Sequence, residues 1–358
     1  MTEITYNETT GTFSLGDVKV CQGHHNTEVV VGSGLELQYD RTVPFTVTVA
    51  QHGTIVRVFS ISEEDFSKLT VRPRYWKRTG DRVWFMATFK NLDGHTRHWK
   101  TKDNTFGKMF ESIIGPAGVQ NVLEATSGSL CISYFIRHPD NDLFNEVVTP
   151  QVAMTIAWDS KTNRFIPPFD LPSQTNIEKP MLITLIDNTP NDQRGSGCTP
   201  VENGLPLLVT MYFSDGSISN VKYITERDES VRRLRCRAHN RFAALFAAQQ
   251  MLQQDPTNVD LQNEIKYSVH LFSQHELNQY RETMIAAREE LENDLCRKQN
   301  GAYVEFPNKM YQFCNIRNLL ASSKDICKDV WAALCKCTDG NRIQAIEQFI
   351  NVYGRIVE

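Results

Sequence analysis

Three of the chain's five tryptophans, Trp76, Trp84 and Trp99, fall within residues 71–108, together with ten Lys or Arg and three Asp. This is the mixture that can hold a polyanion: cations contact phosphates and release counterions, and exposed aromatic faces accept stacked bases. The segment carries +7 in a chain of net charge −4, so the remainder carries −11. The candidate contact residues are Arg72, Arg74, Trp76, Lys77, Arg78, Trp84, Lys90, His98, Lys100 and Lys102. An acidic protein surface can use the same cations. RNA or DNA is therefore one expected partner class, and acidic protein the other.

A second basic group, Arg232, Arg233, Arg235 and Arg237, sits near the start of a helical stretch and is flanked by Arg227 and Arg241. Arginine at a helix N-terminus opposes the helix dipole, so these residues serve something other than helix stability. A polyanion groove is one use. Ion pairing to Glu289, Glu290, Glu292 and Asp294 is the preferred one, because an antiparallel helical hairpin returns that acidic end to the arginines.

Metal ligation has two candidate groups: Cys21 with His24 and His25, and Cys314 with Cys327, Cys335 and Cys337. Neither has paired CxxC spacing, and Cys335 and Cys337 point to different sides of a helix, so these cysteines read as buried free thiols. There is no phosphate-binding glycine loop, no GxSxG, no HExxH and no dinucleotide fingerprint. No cofactor or metal is expected. A binding or assembly protein is expected ahead of a catalyst. It is nucleic-acid-associated in the leading version; in the other it is a protein-only scaffold, adaptor or coat-type subunit that self-assembles through its helices. An enzyme built from distant positions comes third.

Composition fits that reading. At 358 residues, 41% hydrophobic and 22% charged, the chain has the make-up of a folded protein of two or three domains. No apolar run reaches a membrane-spanning length of about 18 residues. The polar N-terminus lacks the apolar segment of a signal peptide. Nine cysteines without regular spacing read as reduced thiols, which predicts a cytoplasmic or nuclear protein with no membrane association.

The expected fold class is α+β: a β-rich, antiparallel, sandwich- or barrel-like N-terminal region followed by an all-α region with a long helical hairpin. Residues 1–225 form the first, as one domain or as two subdomains meeting near 115–128. Within it, residues 45–49 and 55–59 read as a hairpin turning at Gln51, His52 and Gly53. Ser62 caps a short helical turn. Residues 82–90 and 95–102 read as a second hairpin, with Gly94 in the left-handed position of a three-residue loop. That register places Phe85, Ala87, Phe89 and Trp99 in the core, and Trp84, Lys90, His98, Lys100 and Lys102 on the opposite, exposed face. Asn104 or Thr105 caps a helix that stops at Gly115-Pro116. Residues 214–217 form a hairpin turn, and 187–204 a long polar loop.

At Glu226 the pattern becomes helical. One helix is predicted over 226–254 and a second over 257–299, which together make the hairpin 226–300; its outer stripe of Tyr267, Leu271 and Leu277 suits a homo-oligomer contact. Residues 301–358 form a small helical tail. Its stretch LCKCTDGNRIQAIEQFI, at 334–350, resembles the last two helices of a ubiquitin-associated domain. The resemblance covers less than half of such a domain, and the hydrophobic loop that precedes those helices is missing. A plain three-helix packing unit is therefore the preferred reading of the tail.

Overall fold

A computed structural model describes residues 3–8, 10–23, 27–32, 37–40, 42–50, 53–98, 103–141, 149–182, 194–197, 206–237, 241–269, 272–314, 316–323, 325–335 and 340–353. The fold is mixed α+β, and the chain divides into two compact units, Met1–Glu226 and Arg227–Glu358.

The N-terminal unit opens with a three-stranded antiparallel sheet of β1 (Ile4–Asn7), β2 (Thr12–Leu15) and β3 (Val18–Cys21). The next strands are β4 (Glu28–Val31), β5 (Leu37–Asp40), β6 (Phe45–Val49), β7 (Thr54–Ser62), β8 (Lys77–Thr79) and β9 (Arg82–Ala87). After them come β10 (Leu130–Arg137), β11 (Gln151–Asp159), β12 (Arg164–Ile166), β13 (Arg194–Gly197), β14 (Leu207–Tyr212) and β15 (Ile218–Ile224). The central sheet has six strands in the order β12-β11-β10-β7-β9-β8, all antiparallel. A four-stranded sheet, β4-β15-β14-β6, has one parallel pair, β4 with β15, and β5 pairs with β13.

Both faces of the six-stranded sheet are covered. The three-stranded sheet lies on one face, where Phe13 and Cys21 pack with Phe59, Phe85, Cys131 and Trp158. On the other lies α2 (Phe106–Ala125), which brings Phe106, Met109 and Phe110 against Val58, Trp84, Met86, Ile132 and Tyr134. The short α1 (Glu63–Ser67) follows β7 and is capped by Ser62, whose hydroxyl accepts from the Asp65 N–H at 3.0 Å.

This layering overturns two expected hairpins. Strands β6 and β7 do not pair; β6 joins β14 and β7 lies between β10 and β9. The reason is that β7 is apolar on both faces (Val56 and Val58 on one, Phe59 and Ile61 on the other), and such a strand belongs in the middle of a covered sheet. Strand β9 ends at Ala87, and residues 94–96 form a 3₁₀ turn capped by Asp93 in place of the start of a partner strand. The edges of β9 are taken by β7 and β8.

Helix α2 does not stop at Gly115-Pro116. Gly115 takes φ 67° and kinks the helix, which then continues from Pro116 to Ala125. At the kink Asn176 donates from Nδ2 to the Ile114 carbonyl, the last before Gly115, at 2.9 Å. The 214–217 turn joins β14 to β15.

The C-terminal unit is helical: α3 (Glu226–Arg237), α4 (Arg241–Gln254), α5 (Val259–Val269), α6 (Gln274–Gln299), α7 (Asn308–Phe313), α8 (Ile316–Ser322), α9 (Ile326–Cys335) and α10 (Gly340–Tyr353). The single helix expected over 257–299 is two, because Ser273 and Glu276 form a reciprocal capping box that starts α6. Helix α4 is buried on every side through Ala243–Ala248, and α10 packs against α4, α6 and α7. Phe242 stacks on Tyr280 at 5.4 Å, and Trp331 lies edge-on to both Phe246 and Phe349. Helices α9 and α10 are thus built into the same core as the preceding helices. Among the described residues, no helix is long and apolar enough to cross a membrane.

Candidate binding surface

Of the candidate basic residues, Arg72, Arg74, Lys77 and Arg78 lie on or just before β8, at the margin of the six-stranded sheet. Pro73 disfavours helical geometry at Arg72, and residues 72–75 take no regular secondary structure before β8. The Trp76 N–H donates to the Trp84 carbonyl at 2.8 Å and starts β8, with Lys77 opposite Trp84 and Arg78 opposite Val83. Alternation then sends the two cations to opposite faces. Lys77 reaches Glu111 of α2, Nζ to Oε1 2.8 Å, and Arg78 pairs with Glu63 of α1.

Behind this edge lies a compact charged cluster. Trp76 donates from Nε1 to Glu111 Oε1 at 2.6 Å and rests edge-on against Phe110. Arg74 Nε lies 3.3 Å from Asp93 Oδ2, while Asp93 Oδ1 accepts from the His95 N–H at 2.8 Å. The His95 ring sits between the two carboxylates, 3.8 Å from Asp93 and 3.9 Å from Glu111. It also packs on Gly107, where a Cβ would collide with the imidazole. Burial would raise the Glu111 carboxyl, but hydrogen bonds from Lys77 and Trp76 outweigh it and hold the group below the ordinary carboxylate range.

Burial likewise holds His95 below its ordinary value of 6.5, against the pull of Glu111 and Asp93. The unfolded chain therefore binds this proton more readily than the folded one. His95 costs no stability above about pH 6.5, and stability falls as the pH drops from there through the lower folded-state value. Urea unfolding at about pH 7.5 and about pH 5.5 should show that loss in the native chain, and His95→Gln should remove its share.

The remaining flagged residues are placed less uniformly. Trp84, expected on the exposed face, is only 5% exposed and lies beneath α2, because β9 is covered on both sides. Phe89, expected in the core, is 45% exposed and stands over the Arg57 guanidinium at 5.4 Å. Lys90 pairs with Glu8 at 2.9 Å, and Arg72 lies over the Phe66 ring. His98 is half-buried. Trp99, Lys100 and Lys102 lie outside the described residues. Tyr75, in the segment that enters beside the candidate surface, is 40% exposed, and Val71 is exposed as well. Asp93, Glu111, Glu63 and Glu8 were likewise not identified as counter-ions; their separation along the chain gives no local signal.

On the arginine helix, Arg232 and Arg233 both bind Glu229, and Arg233 also reaches Asp260 of α5 at 2.6 Å. Ion pairing is what the described side chains do, but with these acids. Glu292 and Asp294, of the acidic group expected to fill that role, pair with Arg288 and Arg297. The side chains of Arg235 and Arg237 lie outside the described set, as do His24, His25 and Cys337. Among the described residues, no three His, Cys, Asp or Glu side chains come together as metal ligands.

No family model matches the chain, and no curated protein matches it.

Proposed function

We propose that the protein is a non-catalytic binding module that takes an extended acidic polypeptide segment along the β8 margin. The observation that carries this reading is the make-up of that margin. Among the described residues β8 is the outermost strand of its sheet; Val71, Arg72, Arg74 and Tyr75 on the approach and Arg78 on the strand are exposed. An added strand would gain main-chain hydrogen bonds at the open edge, with side-chain pockets supplying selectivity. The cations of these pairs are themselves exposed, where an ion pair is worth about 0–1 kcal/mol, so they can also reach incoming carboxylates.

Nucleic acid is the second reading, carried by the same cations. Burial of Trp84 and the tethering of the Trp76 edge to Glu111 favour polypeptide, because both reduce the ring area open to bases. Fluorescence polarisation with short peptides alternating glutamate and valine, against single-stranded RNA of equal charge, separates the two. Peptide should bind more tightly. The double variant Arg74→Glu with Arg78→Glu should weaken peptide binding about ten-fold or more, equivalent to about 1.4 kcal/mol. Tighter RNA binding would transfer the surface to nucleic acid, and no binding of either at low salt would end the proposal.

A further inference from the structure

Beneath the three-stranded sheet, remote in sequence from the β8 margin, two thiols face each other. The Cys131 S–H donates to Cys21 Sγ at 3.4 Å, across 110 residues of chain, and both side chains are fully buried. Cys21 ends β3, and Cys131 lies on β10 in the middle of the six-stranded sheet. Arg57 is buried beside them at 1% exposure and donates from Nη1 to the Gly11 carbonyl at 2.5 Å. Gly23 makes room for this group: a Cβ there would stand 2.5 Å from Arg57 Nε and 3.0 Å from Ser133 Oγ.

We propose that Cys21 and Cys131 are a redox modification site that closes a reversible disulfide and locks the three-stranded sheet onto the six-stranded one. The sulfurs already touch, and reaching the bonded distance of about 2.05 Å needs a shift of side-chain size. The two thiols are also electronically unequal. Burial alone would raise Cys21, but the hydrogen bond from Cys131 and the Arg57 guanidinium bring it below the ordinary thiol range. Burial and the adjacent Cys21 push Cys131 well up. Cys21 is therefore the attacking sulfur and Cys131 the resolving one.

A small hydroperoxide is the oxidant class that suits a buried pair. The Cys21 thiolate attacks one peroxide oxygen, the O–O bond breaks, and the leaving oxygen takes a proton to depart as water or alcohol. The resulting sulfenic acid is attacked by the Cys131 sulfur; the S–S bond forms, the S–O bond breaks, and the hydroxyl leaves as water with the Cys131 proton. The thiols lose two electrons and the peroxide gains them. A cleft of about 510 Å³ lies over Gln22, Gly23 and Trp158, the chain neighbours of Cys21 and the cross-strand neighbour of Cys131, and gives the oxidant an approach. Ser133 Oγ, close to Gly23, is buried without a hydrogen-bond partner among the described residues.

The test uses the full native chain. It is exposed to hydrogen peroxide, blocked with N-ethylmaleimide, digested without reduction and analysed by mass spectrometry. The expected product is one linked pair of peptides containing Cys21 and Cys131, lost on treatment with dithiothreitol. The oxidised chain should also unfold at higher urea than the reduced chain, and Cys131→Ala should show no such shift. Recovery of Cys21 and Cys131 as blocked thiols when the exposed Cys296 is fully oxidised would overturn the proposal. So would Cys21 linked to any other cysteine, or oxidised without a link.

Discussion

Trp84→Ala should destabilise the N-terminal unit by about 3–5 kcal/mol, measured by urea unfolding. The indole lies among Met86, Phe106, Met109, Phe110 and Tyr134, between β9 and α2. Its removal loses the transfer free energy of a large aromatic side chain and leaves a cavity that a helix and a sheet close only in part. A tryptophan exposed on a binding face would behave differently. Truncation there costs about 0.5 kcal/mol or less, and the loss appears in affinity. A stability loss below about 1 kcal/mol would therefore return Trp84 to the surface. Variants at Arg74 and Arg78 should show the opposite pattern, with weakened binding and near-native stability, because both arginine side chains are exposed.

Trp158→Ala should cost a similar amount, about 3–5 kcal/mol, through the other face of the same sheet. Trp158 is 1% exposed, lies opposite Cys131 on β11, and packs with Phe13, Phe59 and Phe85 under the three-stranded sheet. The two tryptophans occupy separate clusters, one per face. Loss of both would take about 6–10 kcal/mol from a unit whose total stability, for an ordinary domain, is about 5–15 kcal/mol. The double variant should be largely unfolded at ambient temperature, as read by loss of the near-ultraviolet circular dichroism signal. If Trp158→Ala were instead tolerated, the three-stranded sheet would not be a fixed cover, and the contact between Cys21 and Cys131 would lose its support.

The misplacement of Trp84 has an identifiable cause. Residues 83–87, Val-Trp-Phe-Met-Ala, are a continuous apolar run, the pattern of a strand covered on both faces. An alternating pattern sends Trp84 outward, since a strand with one covered face must expose every second residue. The run itself carried the correction, but the covering elements are β1 to β3 and α2, neither of which adjoins β9 in the chain. Ser273 is a plainer oversight. Ser-Gln-His-Glu at 273–276 is a capping-box sequence, and the five-residue step from Phe272 to Leu277 marked the break in periodicity.

Local chemistry was enough to determine much of the chain: the α+β class, the change to helix at Glu226, the cap at Ser62, a cap at Asn104 or Thr105 (Thr105 in the structure), and the turn between β14 and β15. Each depends on residues within a few positions of one another, where hydrogen bonding and side-chain periodicity act directly. Tertiary structure alone decided which strand faces are covered, which cations meet carboxylates, and which thiols touch. Lys77 lies 34 positions from Glu111, Lys90 lies 82 from Glu8, and Cys131 lies 110 from Cys21. Charge excess can be counted along a sequence. Whether that charge is free depends on carboxylates brought beside it by the packing of other elements.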